Sequence, residues 1–79
     1  MENDIIVYRE RGREYVLSFE NGEYAISSIL FDEEGAILDK SCVGHITPCR
    51  GEALRIFDLI TKHSVSPCTL LDVICDLIC

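Results

Sequence analysis

An asparagine–glycine pair between two runs of alternating apolar and polar residues is the feature that most constrains the fold of this chain. Asn21 and Gly22 separate REYVLSFE from EYAISSILFD. Both residue types tolerate a positive φ, and such a pair is the strongest short-range signal of a two-residue β-hairpin turn. The sequence therefore predicts two antiparallel strands whose register is fixed by the turn between them.

Two further turn signals extend this hairpin into a four-stranded meander. Arg11 and Gly12 precede the hairpin between two more alternating runs. Glu33, Glu34 and Gly35 follow it and fit a three-residue loop with the glycine in the left-handed conformation. The predicted strands cover residues 4–10, 13–20, 23–32 and 36–44.

The turn lengths also predict which side chains share each face of the sheet. The three-residue loop pairs Leu30 with Leu38. It also pairs Ile26 with Cys42, so Cys42 is expected on the tyrosine-rich face. That face carries Ile6, Tyr8, Tyr15, Leu17, Phe19, Tyr24, Ile26, Leu30, Leu38 and Cys42. The opposite face carries Ile5, Val7, Val16, Ala25, Ile29, Phe31, Ile37 and Val43. A bulge near residues 27–28 would change part of this assignment.

The second half of the chain changes to helical periodicity. Ala53, Ile56, Phe57 and Ile60 recur at i, i+3, i+4 and i+7, which indicates an amphipathic helix. A second helix carries its apolar residues on a wide arc that comprises Leu70, Leu71, Val73, Ile74, Leu77 and Ile78. Helices are predicted at about residues 48–63 and 67–79.

The predicted architecture is a single α+β domain over residues 1–79, in which a four-stranded antiparallel β-meander precedes two C-terminal helices packed on the sheet. If both helices cover the tyrosine-rich face, the opposite face shows more apolar surface than a small monomer normally exposes. That arrangement favours a partner, most simply a second copy of the chain. The alternatives are that one helix packs behind the sheet or that a bulge changes the faces. The predicted interaction surface comprises Ile5, Val7, Val16, Ile29, Phe31, Ile37, Val43, Cys75 and Cys79.

The stretch CVGHITPC at residues 42–49 admits a metal site as a second interpretation. Zinc prefers four converging ligands, usually with closely spaced cysteine or histidine pairs. Cys42, His45 and Cys49 approximate that spacing, and His63 or Cys68 would have to supply a fourth ligand. The alternative function is therefore a small thiol- or zinc-binding domain that uses Cys42, His45, Cys49 and Cys68.

The preferred interpretation of the same stretch is a helix start. Thr47 and Pro48 have the chemistry of an N-cap followed by proline at the first helical position, and residues 66–67 repeat it. Cys49 and Cys68 then fall in a first helical turn, where the helix dipole stabilises a thiolate. Without a histidine clearly placed as a base, both are expected to be inert and partly buried.

Composition narrows the function classes further. Fourteen acidic residues against seven basic ones give a formal net charge of −7, which disfavours binding to phosphate backbones. No apolar stretch approaches the roughly 20 residues needed to span a bilayer. The first residues resemble no secretory signal, so a cytoplasmic location is expected. No phosphate-binding loop, nucleophile motif or helical His–Glu motif is present, and neither an enzymatic activity nor a cofactor is predicted.

The hairpin-rich half, followed by EALRIFDLI and then VSPCTLLDVICDLI, resembles short uncharacterised proteins of anaerobic Gram-positive bacteria that form a domain-of-unknown-function group. The resemblance covers most of the chain and implies neither an activity nor known site residues. Taken with the residues, it leads to the prediction of a non-enzymatic, acidic interaction or regulatory module. We expect it to bind a second copy or another protein, and neither nucleic acid nor a membrane.

Overall fold

A computed structural model describes residues 6–78 and contains one four-stranded antiparallel sheet in the order β1-β2-β3-β4. The strands are β1 (Ile6–Glu10), β2 (Arg13–Glu20), β3 (Glu23–Phe31) and β4 (Ile37–Val43). Helix α1 (Arg50–Lys62), a 3₁₀ turn (Pro67–Thr69) and helix α2 (Leu70–Ile78) follow the sheet. The predicted α+β fold class is confirmed.

The central hairpin forms as its turn residues predict. Asn21 and Gly22 adopt φ angles of 53° and 84°, so both central positions of the turn are left-handed. Phe19 pairs with Tyr24, and the centroids of their rings lie 4.7 Å apart. The pairing of Tyr8 with Tyr15 across the first hairpin also follows the predicted register.

The loop between β3 and β4 has the predicted length and is held by one carboxylate. The backbone N–H of Asp32 donates to the carbonyl of Ala36, which leaves three residues in the loop. The Asp32 Oδ1 atom accepts bonds from the N–H groups of Glu34 and Ala36 at 2.9 and 2.8 Å. Gly35 has a φ of 90° and supplies the left-handed turn.

A β-bulge directly after this loop shifts β4 by one residue. Phe31 pairs with Ile37, but the next pair joins Leu30 to Asp39, so Leu38 is the extra residue. The predicted pairing of Leu30 with Leu38 is therefore wrong, and the bulge does not lie near residues 27–28. As a consequence, Val43 takes the position opposite Ile26 that was predicted for Cys42.

Both helices pack on the same face of the sheet. Buried side chains from β2 and β3 meet buried side chains from α1, α2 and the segments that precede these helices. This core comprises Tyr15, Leu17, Tyr24, Ile26, Ile46, Ala53, Ile56, Phe57, Ile60, Val65, Leu70 and Ile74. The domain is thus two layers thick, and its smallest dimension is 17 Å.

Helix α1 begins two residues later than its sequence predicts. Its N-cap is Cys49, whereas Thr47 was predicted as the cap. The Thr47 carbonyl accepts a hydrogen bond of 2.8 Å from the N–H of Tyr24, and the Ile46 N–H donates to the Tyr24 carbonyl at 3.0 Å. The chain therefore stays bonded to the start of β3 through Thr47. The Thr47 hydroxyl instead accepts a bond of 3.1 Å from the Cys49 N–H.

The C-terminus of α1 is closed by a Schellman motif without glycine. The N–H of Val65 donates to the carbonyl of Ile60 at 3.2 Å, and that of Ser64 donates to Thr61 at 3.3 Å. Ser64 has a φ of 51° and occupies the left-handed position that usually belongs to glycine. Ser66 occupies the N-cap position of the 3₁₀ turn, and Pro67 begins that turn. Pro67 was predicted to begin the second helix, but α2 begins three residues later, at Leu70.

Candidate functional site

The sheet face that both helices leave uncovered is the candidate site, and we call it the open face. Its residues follow from the observed strand register and from the alternation of side chains along each strand. They are Val7, Arg9, Glu14, Val16, Ser18, Glu20, Glu23, Ala25, Ser27, Ile29, Phe31, Ile37, Lys40 and Cys42. The face is apolar over much of its area, and its charged residues lie in two rows across the strands.

Large apolar side chains on the open face remain accessible to solvent. Val7 is 50% exposed and Ile37 is 58% exposed, and the bulged residue Leu38 next to Ile37 is also exposed. These residues belong to the two edge strands, whereas Val16 and Ile29 between them are half-buried by their neighbours. Large apolar side chains that stay accessible on one face commonly mark an interaction site.

One row of residues across the open face carries both of its cations. Arg9 pairs with Glu14, Glu14 with Ile29, and Ile29 with Lys40 in the strand register. The Arg9 Nε atom lies 3.6 Å from Glu14 Oε1, and the Glu14 side chain is only 16% exposed. Glu20 and Glu23 pair with each other at the far end of the face, so two cations and three anions give the face a charge of −1 (2 − 3), against −7 for the whole chain.

The predicted interaction residues divide into three groups. Val7, Val16, Ile29, Phe31 and Ile37 lie together on the open face. Two others leave it: Val43 packs against the core on the helix-covered face because of the bulge, and Cys75 is exposed on α2. Ile5 and Cys79 lie outside the described residues. Cys42 takes the place on the open face that Val43 was predicted to hold.

The four residues of the proposed zinc site do not converge. Cys42 lies on the open face, and the His45 Nδ1 atom is 2.8 Å from Glu23 Oε1. Cys49 caps α1, and Cys68 lies in the 3₁₀ turn. Within residues 6–78, no group of three or more His, Cys, Asp or Glu side chains is arranged to hold a metal ion. The placement of these residues therefore gives the zinc alternative no support.

The predicted partial burial of Cys49 and Cys68 is wrong, because both thiols are free and exposed. The Cys68 Sγ atom lies 3.4 Å from the Ser66 hydroxyl, which also lies 3.2 Å from the hydroxyl of Thr69. The Ser66 hydroxyl therefore contacts other side chains of the turn and makes no cap bond to a backbone N–H.

A cluster of polar groups that sequence reasoning missed ties the sheet to the segment between the helices, and we call it the connector clamp. It comprises the side chains of Glu10, Arg13, Tyr15 and Ser28 and the connector residues Ser64 and Val65. The hydroxyls of Tyr15 and Ser28 both donate to the Val65 carbonyl, at 3.0 and 3.3 Å. Burial raises the pKa of the Tyr15 phenol above its ordinary value, against the lowering effect of the Arg13 cation.

The outer half of the connector clamp is ionic. Arg13 Nη1 donates to the Ser64 carbonyl at 3.3 Å and lies 3.9 Å from Glu10 Oε2. The Ser64 hydroxyl donates to the same Glu10 oxygen at 2.8 Å. The signal for this cluster in the sequence is the set of polar residues at inward-facing strand positions, but the backbone carbonyls that they bind lie 37 to 51 residues away.

Two adjoining hollows of about 390 and 490 Å³ lie at the end of the sheet that carries the β1–β2 turn and the β3–β4 loop. They share Gly12, Phe31, Asp32 and Glu33. The Asp32 carboxylate already accepts the two loop amides, so it belongs to the structure of the loop. Leu38 lines the more apolar hollow, which extends the apolar area of the open face around its edge.

Comparison with known proteins gives a family without an assigned activity. A family model described as "Family of unknown function (DUF6514)" matches residues 5–79. No curated protein and no solved structure matches the chain. No helix within the described part of the chain is long and apolar enough to span a membrane.

Proposed function

This chain belongs to DUF6514, a family of unknown function, and we propose that it is a non-enzymatic interaction module that self-associates through its open face. One observation supports this proposal above the others. Both helices pack on the tyrosine-rich face, so the apolar side chains of the opposite face have no covering layer in the described chain. Burial of that face against a second sheet would complete a sandwich with the usual spacing of about 10 Å.

The size of the open face favours a weak association. Four strands spaced by about 4.8 Å, with about seven residues each at about 3.3 Å, give a footprint of about 440 Å². Two such faces bury about 900 Å² in total, which is below the standard size of a stable protein interface. We therefore expect a homodimer with a dissociation constant in the micromolar range, whose population responds to the concentration of the chain.

A second copy suits this face better than an acidic or basic ligand does. The face carries apolar side chains on every strand, together with Glu14 between two cations and with Glu20 and Glu23 at one end. A surface that contains both signs of charge and an apolar centre is able to complement itself across a two-fold axis. Binding of a different protein to the same face is the alternative that the experiment below distinguishes.

Sedimentation equilibrium over a range of micromolar concentrations tests the proposal. Two variants form a matched pair: Ile37→Lys changes the open face, and Leu71→Lys makes the same change at an exposed residue of α2. The wild-type residues are 58% and 56% exposed, so the two variants differ mainly in location. We expect Ile37→Lys to weaken the dimer and Leu71→Lys to leave it unchanged.

Two other outcomes of the sedimentation experiment would contradict the proposal. A wild-type chain that remains monomeric at every concentration would overturn self-association and leave a different protein as the occupant of the face. A dimer that is weakened by Leu71→Lys and unaffected by Ile37→Lys would place the contact on α2 and overturn the role of the open face.

A further inference from the structure

Glu14 and Lys40 lie symmetrically about β3, one of the two inner strands of the open face. Both pair with Ile29 of β3, from β2 on one side and from β4 on the other. Because adjacent strands are spaced by about 4.8 Å, the two residues lie about 9.6 Å apart with β3 midway between them. The row therefore places an anion and a cation at equal distances from an apolar residue.

The two charges differ in their present partners. The Glu14 carboxylate lies 3.6 Å from Arg9, whose side chain is 77% exposed at the edge of the sheet. The Lys40 ammonium forms no ion pair with any residue between 6 and 78. An acidic residue of a second copy that lies over β4 would therefore be able to pair with Lys40.

From this row we infer that two copies pack face to face about a two-fold axis that runs along β3, so that Glu14 of each copy lies opposite Lys40 of the other. The inference rests on the proposed self-association. Rotation about that axis exchanges the positions of β2 and β4, which brings each carboxylate over an ammonium group and forms two equivalent ion pairs. The sheets are about 10 Å apart in such a sandwich, a gap that lysine and glutamate side chains together can span.

The residues at the centre of β3 fit the same axis. Ala25, Ser27, Ile29 and Phe31 lie on the open face of this strand and would each meet their own counterpart in the second copy. Glu23 at the start of the strand would also meet its counterpart, and its carboxylate already lies 2.8 Å from the His45 ring. The apolar pair at Ile29 then lies between the two ion pairs, and the serine hydroxyls are able to bond to each other. Val16 and Cys42 pair with Ser27 from its two sides, as Glu14 and Lys40 pair with Ile29. Val16 of one copy would therefore lie opposite Cys42 of the other.

Charge disfavours the most similar alternative. A two-fold axis between β2 and β3, at the centre of the sheet, would place Arg9 of one copy over Lys40 of the other. Two cations would then be brought together twice in a partly desolvated interface, which destabilises that arrangement. The axis along β3 leaves Arg9 at the rim of the interface and in contact with solvent. The ion pairs therefore determine the register of the two sheets more than they add affinity.

Charge reversal tests this arrangement by sedimentation. Lys40→Glu and Glu14→Lys each place like charges together at both sites, and each should weaken its own homodimer by about tenfold or more. An equimolar mixture of the two variants restores opposite charges at both sites of a heterodimer. We expect the mixture to dimerise with nearly the affinity of the wild-type chain. Lys62→Glu, which makes the same charge change on α1, should leave dimerisation unchanged.

Glu14 is largely buried, and a lysine there places a cation in its position. If Glu14→Lys folds poorly for this reason, a double-mutant cycle keeps the test valid. Glu14→Gln and Lys40→Gln remove the charges with little change in shape, and their effects on dimerisation should be strongly non-additive. Additive effects in the cycle, or a mixture that fails to dimerise, would overturn the axis along β3. If Ile37→Lys still disrupts the dimer in that case, the proposed function stands and only this arrangement fails. A monomeric wild-type chain would overturn both.

Discussion

The Tyr15 hydroxyl donates a hydrogen bond of 3.0 Å to the backbone carbonyl of Val65, 50 residues further along the chain. Ser28 donates to the same carbonyl at 3.3 Å, so one acceptor receives two buried donors. Val65 follows the left-handed residue that ends α1, and its side chain belongs to the core. These bonds hold the connector between the helices over β2 and β3, on the face of the sheet that both helices cover.

Removal of either donor should destabilise the domain only moderately. Tyr15→Phe or Ser28→Ala leaves one hydroxyl on the Val65 carbonyl, so each should lower the free energy of unfolding by about 1 kcal/mol. The double variant leaves a buried carbonyl without a donor, which costs about 1–3 kcal/mol more than the sum. Urea denaturation of the wild-type chain, the two single variants and the double variant measures this excess over additivity. Additive effects would show that water or a rearranged side chain replaces the missing donors.

Alkaline pH should weaken the domain through the same tyrosine. The pKa of Tyr15 is raised above its usual 10.0 in the folded chain, chiefly by burial. The unfolded chain therefore loses its phenolic proton at a lower pH than the folded chain does, and the free energy of unfolding falls as the pH rises above about 10. Tyr15→Phe should reduce this fall, as measured by urea denaturation between pH 8 and pH 11. An unchanged pH profile would assign the loss of stability to other groups.

The left-handed conformation of Ser64 gives a third prediction. Ser64→Ala and Ser64→Gly both remove the hydroxyl that donates to Glu10, but only alanine retains a side chain at a φ of 51°. The glycine variant should therefore be more stable than the alanine variant by about 1 kcal/mol. Thermal unfolding followed by circular dichroism compares them. Equal stabilities would mean that the connector relaxes out of the left-handed conformation when the bond to Glu10 is lost.

The parts of the fold that local chemistry determines could be predicted from the sequence. Asn21 and Gly22 fix the central hairpin because their backbone preferences agree with the alternation on both sides. The bulge at Leu38 could not be predicted, since Ile37 and Leu38 are both apolar and either phase of β4 leaves an apolar residue facing the core. Packing of Val43 against the core selects one phase, and that packing involves residues distant in sequence.

The candidate site, like the fold, was predictable from the sequence only in part. Five of the predicted interaction residues lie on the open face because they belong to β1, β2 and β3 or precede the bulge in β4. The start of α1 was misplaced because Thr47 has the chemistry of an N-cap but is bonded to Tyr24 across the sheet. The connector clamp escaped prediction for a similar reason, since backbone carbonyls distant in sequence accept most of its hydrogen bonds.

Cys42 provides a direct probe of the open face, because the described chain offers three other exposed cysteines as internal references. Cys49, Cys68 and Cys75 lie on or next to the helices, whereas Cys42 lies on β4 beneath the proposed second copy. Alkylation of Cys42 should slow as the concentration of the chain rises, since dimerisation covers its thiol. The rates at the other three cysteines should stay constant.

Pulsed alkylation followed by peptide mass spectrometry measures all four rates in one sample. Lys40→Glu serves as the control, since it should keep Cys42 reactive at concentrations that protect this thiol in the wild-type chain. If sedimentation shows a dimer while Cys42 reacts equally fast at every concentration, the open face is not the dimer interface. Slowing at Cys68 and Cys75 instead would move the contact to α2, whose exposed Leu71 lies between these two cysteines in the sequence.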